Sequence, residues 1–128
     1  MQTKSLDMLL EEANKQIKRL SFNESLEMLS NENTIVIDVR EESEVINLGI
    51  IKNAIHIPRG LIEFKLSPHS SNNPNGIDKN TNLLIYCAGG YRSALAAKTL
   101  SDLGFTNVYN LGGYQEWIDN GGDIQASL

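Results

Sequence analysis

Cys87 is the only thiol in the chain, and it heads the stretch "CAGGYRSALAA", residues 87–97. Small residues up to Gly90 let successive backbone N–H groups turn inward, which makes an anion-binding nest. The helix expected from about Arg92 points its positive end at the same spot, and Arg92 adds a full charge. A thiol so placed ionises more readily than a free one. Free cysteine, with a pKa of ~8.5, is only a few per cent thiolate at neutral pH. A helix terminus in favourable geometry supplies up to ~2 kcal/mol, enough to bring the thiol to roughly half ionised near pH 7. The nest suits a persulfide or an oxyanion equally. A lone cysteine closing an apolar strand is by default a small core residue. The glycine pair, the arginine and the immediate helix point instead to a reactive thiol.

Strands and helices alternate around this turn. Residues 82–87, "NLLIYC", form the most apolar strand, and residues 92–104 a helix stopped by Gly104. Residues 34–39, "TIVIDV", and 107–111, "NVYNL", read as strands, and 54–58 as a short strand ended by Pro58. Helices are expected over 40–49, closed by Gly49, in short form over 60–66, and over 113–122. Residues 3–19 read as one amphipathic helix, and "SFNE", 21–24, as a capping box opening another. Residues 67–81 are a loop dense in turn formers. Such alternation predicts an α/β fold with a mostly parallel sheet, whose ligands bind beyond the carboxyl ends of the strands. Cys87 stands at that end of its strand.

Composition narrows the function further. The 128 residues suit one domain with a real core. A formal net charge of −5 argues against nucleic acid as main partner. No apolar run reaches the ~20 residues of a membrane span, and acids interrupt the N-terminal stretch where a signal peptide needs apolar continuity. A cytoplasmic location is expected, in keeping with a single thiol. One cysteine and two distant histidines make no structural zinc cluster.

Four segments, in order, resemble the rhodanese family of sulfurtransferases over about residues 21–122. They are "IDVREESE", "GIIKNAIHIP", "YCAGGYRSALAA" and "LGGYQEW". The resemblance implies a rhodanese-like central, mostly parallel five-stranded sheet flanked by helices, with residues 1–20 as a helical extension and 21–128 as the domain. It implies a sulfurtransferase that works through a Cys87 persulfide. The cradle would comprise Ala88, Gly89, Gly90, Tyr91 and Arg92, with Ser93 as helix cap and hydroxyl donor. Donors would be sulfane-sulfur compounds such as thiosulfate, and acceptors cyanide, a thiol or an acceptor protein, with no metal or organic cofactor. Gly49-Ile50 and Asn53 depart from the family's Gly-His and Gly, away from the loop. Related phosphatases and arsenate reductases place five residues between cysteine and arginine; here four intervene. The same turn could also serve a non-catalytic protein-binding module or a redox-sensing thiol.

Other residues are expected to be structural or peripheral. Asp38 and Arg40 read as a partly buried ion pair at a strand end, which Glu44 could join. Arg59, just past Pro58, is a candidate substrate contact at the pocket mouth. His56 reads as a hydrogen-bonded structural histidine, His69 as solvated and Trp117 as core. The N-terminal helix is expected to pack on its own domain, and removal of residues 1–18 to leave the chemistry intact.

Overall fold

The structure, a computed structural model, describes residues 3–68, 73 and 76–127. His69 lies outside the described residues. Five parallel strands form the central sheet: β1 (Lys18–Arg19), β2 (Thr34–Asp38), β4 (Ile55–His56), β5 (Asn82–Cys87) and β6 (Val108–Gly113). Their order is β1-β6-β5-β2-β4, which puts β5 at the centre. A separate antiparallel pair joins β3 (Ile50–Ile51) to β7 (Ile124–Gln125).

Both faces of the central sheet are covered, so its middle strands are apolar on both sides. Leu83, Ile85 and Cys87 of β5 face one cluster, with Ile37, Ile57, Ala96, Ala97 and Leu100. Leu84 and Tyr86 face the other, with Val36, Leu111, Tyr114 and Trp117. The first layer is capped by α1 (Leu6–Gln16), α4 (Ile62–Lys65), which a 3₁₀ turn (Arg59–Leu61) leads into, and α5 (Tyr91–Leu103). The second holds α2 (Phe22–Leu29), α3 (Glu42–Leu48) and α6 (Tyr114–Asp119).

The capping box at Ser21 forms as the sequence predicts. Ser21 Oγ accepts from Glu24 N at 3.1 Å, and Glu24 Oε1 accepts from Ser21 N at 2.9 Å. The single helix expected over 3–19 is shorter. It ends at Gln16, and Ile17 turns extended so that Lys18 and Arg19 pair with Tyr109 and Asn110. Ile17 and Leu20, on either side of that strand, are buried in opposite core clusters. Tertiary pairing with β6 overrides the helical periodicity there.

Candidate active site

The site lies where β5 ends. Cys87 is buried, 1% exposed, and the chain leaves it through Ala88 and Gly89 to Gly90. Gly90 has φ of +95° and is the N-cap of α5, so the loop turns sharply into the helix. A β-carbon there would strain the backbone. The helix starts at Tyr91, one residue before the expected start, because Gly90 takes the cap position. Ser93 therefore does not cap. It sits in the first turn of α5 with its hydroxyl pointing back at the sulfur.

Two backbone donors reach Cys87 Sγ: Gly90 N at 3.1 Å and Ser93 N at 3.4 Å. As a thiol, Cys87 donates to Ser93 Oγ at 3.5 Å. Burial pushes the thiol's pKa up. Hydrogen bonds from the Ser93 hydroxyl and N–H, then from the Gly90 and Gly89 N–H groups, outweigh it, so the pKa lies below its ordinary value. The Arg92 pKa is raised, chiefly by Glu44 and in smaller part by the Cys87 sulfur, so the guanidinium also acts on the thiolate. The Arg92 guanidinium donates to Glu44, Nη1 to Oε1 at 2.7 Å and Nη2 to Oε2 at 3.0 Å. Glu44 is thus hydrogen-bonded to the loop arginine, while the Arg40 charge reaches it only at longer range. This bidentate contact, opposed by burial and aided by the Glu41 N–H, holds the Glu44 carboxyl at about 2.

Asn110 is a residue that motif reading missed. It is buried, 3% exposed, and its side chain makes three hydrogen bonds. Oδ1 accepts from Ser93 Oγ at 2.8 Å and from Gly112 N at 3.0 Å; Nδ2 donates to Gly90 O at 3.0 Å. Asn110 thereby positions both residues whose N–H groups hold the sulfur. The available signal was a polar residue in a strand position that pairs with Ile85 of the buried β5. Asn110→Ala leaves the Ser93 hydroxyl and the Gly112 N–H without these partners, while the Gly90 carbonyl keeps its bond from Ala94 N. Each buried orphan costs about 1–3 kcal/mol, so a loss of about 2 kcal/mol or more is expected in urea unfolding. Iodoacetamide should also alkylate Cys87 more slowly at neutral pH. Unchanged stability and alkylation would remove Asn110 from the cradle.

The other walls close tightly on the loop. Between Ile85 and Tyr86 the pairing register of β5 and β6 slips by one, so Leu111 is extra on β6, as in a β-bulge. A β-carbon on Gly113 would meet Ala88 O at 2.7 Å, which only glycine avoids. Arg19 of β1 lies across Gly112 and beside Gly90, and is ion-paired with Glu116. A small cavity of about 130 Å³ beside the loop is lined by Leu10, Asn14, Arg19, Gly90, Tyr91 and Asn110, among others. Tyr91 is 69% exposed at this rim.

Arg59 goes elsewhere. It binds Glu63 at 3.4 Å and Thr99 Oγ1 at 3.2 Å, about two turns along α5 from the loop. Asp38 and Arg40 are fully buried, more so than the sequence suggests. Arg40 donates to Asp38 from Nε at 3.0 Å and Nη2 at 2.7 Å, and from Nη2 to Gly49 O at 2.6 Å. The guanidinium lies 4.1 Å from the Tyr114 ring centroid and 5.6 Å from that of Tyr86. His56 Nε2 contacts Arg40 O at 2.7 Å, a structural position. Trp117 is core, its Nε1 donating to Asp123 O at 3.0 Å. No group of residues that could hold a metal occurs among the described residues.

A parallel five-stranded sheet with a cysteine loop at the end of its central strand is the architecture of rhodanese-like domains. The family model for the rhodanese-like domain matches residues 21–120, and the chain belongs to that family. It is similar to a sulfurtransferase of Allochromatium vinosum, 31% identical over 103 residues, 80% of this chain and 88% of that protein. It is also similar to the tRNA uridine(34) hydroxylase of Prochlorococcus marinus (strain MIT 9312), 34% identical over 101 residues. That match covers 73% of this chain but only 31% of the hydroxylase. Among solved structures, a protein of unknown function from Rhodopseudomonas palustris, described as a possible tyrosine phosphatase, superposes with a TM-score of 0.82. It is 32% identical and the match covers 98% of this chain and 97% of that one.

Proposed function

We propose that the protein is a sulfurtransferase of the sulfane-sulfur type, with Cys87 as the nucleophile. Named sulfurtransferase relatives support an enzyme of this kind. The observation that carries the finer reading is a buried sulfur held by Gly90 N–H and Ser93 N–H, with its pKa lowered by them. The Cys87 thiolate attacks the outer sulfur of a donor such as thiosulfate or a persulfide. The donor S–S bond breaks, and its electron pair leaves on sulfite or a thiolate. A Cys87 persulfide remains, and a second nucleophile, cyanide or a thiol, takes its terminal sulfur and restores the thiolate. The N–H groups of residues 88–92 are the partners available to that terminal sulfur. A reducing compartment such as the cytoplasm keeps the single thiol in this cycle.

The loop disfavours a phosphatase. Four residues separate Cys87 from Arg92, and Glu44 already fills the bidentate face that Arg92 would offer a phosphoryl group.

The test is covalent. Brief incubation with thiosulfate or glutathione persulfide should add one sulfur atom, seen by intact-protein mass spectrometry and removed by cyanide. Cys87→Ser should keep the fold and lose the adduct. No added sulfur with either donor refutes the reading.

A further inference from the structure

The chemistry at Cys87 leaves open which donor loads it, and the charges around the loop bear on that choice. Arg92 is the only basic residue of the loop, and Glu44 occupies both of its terminal nitrogens at 2.7 and 3.0 Å. Glu44 is itself held in place, its Oε1 accepting from Glu41 N at 3.1 Å within the first turn of α3. A donor that used these two nitrogens bidentately would have to break two charge-assisted bonds and strand a carboxylate. No other arginine stands in. Arg19 is paired with Glu116, Arg59 with Glu63, and Arg40 lies buried with Asp38. All four arginines of the chain therefore have carboxylate partners.

We propose that Glu44 determines the donor class: by neutralising Arg92 it makes the site select a thiol-bound persulfide, R–S–SH, over the dianion thiosulfate. This rests on Cys87 being the sulfur-accepting thiolate. With that thiolate, Arg92 and Glu44 sum to one negative charge. Thiosulfate brings two more and must release sulfite, which keeps both. A persulfide arrives neutral or singly charged. Its S–S bond breaks with the electron pair leaving as R–S⁻, while the transferred sulfur and its proton stay on Cys87, so charge and electrons balance without an added oxidant. Held at about 2 chiefly by Arg92, the Glu44 carboxyl is ionised at neutral pH. Removing one unit charge a few ångströms from a doubly charged donor in water-like screening is worth about tenfold in rate, and about threefold for a singly charged one.

The experiment compares kcat/KM for thiosulfate and for the persulfide of 2-mercaptoethanol, which has no other charged group, in the wild type, Glu44→Gln and Glu44→Asp. Glutamine keeps an acceptor for the Glu41 N–H but frees the Arg92 charge. The expected result is a wild-type preference for the persulfide. Glu44→Gln should raise kcat/KM about tenfold for thiosulfate, mainly through KM, and at most about threefold for the persulfide. Glu44→Asp keeps the charge and should not raise it. Adding Arg92→Ala to Glu44→Gln should cancel the thiosulfate gain. Equal changes for both donors, no gain with thiosulfate, or a wild-type preference for thiosulfate overturns the proposal while leaving Cys87 as the nucleophile. Failure of the wild type to load from either donor overturns both.

Discussion

Asp38→Ala is expected to cost about 3–5 kcal/mol, because it leaves the Arg40 guanidinium buried without its counter-charge. Arg40 is 0% exposed and gives Asp38 both its Nε and its Nη2. Its remaining contacts, the Gly49 carbonyl and the two tyrosine rings, do not neutralise it. Domains of this size hold about 5–15 kcal/mol in all, so the variant should lose a large part of its stability. Urea unfolding of the pure protein checks this through its midpoint. The double variant Asp38→Ala, Arg40→Met removes the orphan charge and should recover much of the loss, since apolar replacement of a whole buried pair is often neutral. A single variant as stable as the wild type would mean that water or another group solvates Arg40.

Deleting residues 1–20 should be nearly as damaging to stability. The deletion removes Ile17 and Leu20 from the two cores, at about 1.5–3 kcal/mol each. It also removes the edge strand of the central sheet and the bond from Leu20 N to Asn110 O, 2.9 Å. Arg19, which lies over the glycines beside the loop, goes too. The truncated protein should melt at least about 10 °C lower than the full chain. Its Cys87 should be alkylated with a different pH profile, because Asn110 loses the strand that fixes it. A native melting temperature and profile would show that the extension is dispensable.

The long apolar strands, the capping box and the cysteine turn were legible because each is written in a few adjacent residues with strong local chemistry. "NLLIYC" and "TIVIDV" declare buried strands by composition, and "AGGYR" declares a turn that only small residues permit. What was hidden depends on partners distant in sequence. Lys18–Arg19 carries no strand signal and becomes one only because β6 offers an open edge. The pairing of Arg92 with Glu44 joins residues 48 apart, and nothing near either one announces it. Strands β3 and β7 are two residues each, too short for a period to show. Asn110 stood in plain view as a polar residue between Tyr109 and Leu111, but its role emerges only when the cradle is assembled around it. Arg59 is the converse case: its position beside Pro58 suggests the pocket, while its side chain finds Glu63 and Thr99 first.

The place of β1 beside β6 also has a consequence for synthesis on the ribosome. Lys18 pairs with Tyr109, so the first strand to emerge waits for a partner about 90 residues behind it. At translation rates of about 5–20 residues per second, that wait is roughly 5–20 s. Through that interval the α1–β1 segment has no sheet to join, and β5 lacks its β6 neighbour. Asn110, whose side chain holds Ser93 and Gly90, has also not yet been made. The surroundings of Cys87 are therefore completed only when the last parallel strand slots between β5 and β1.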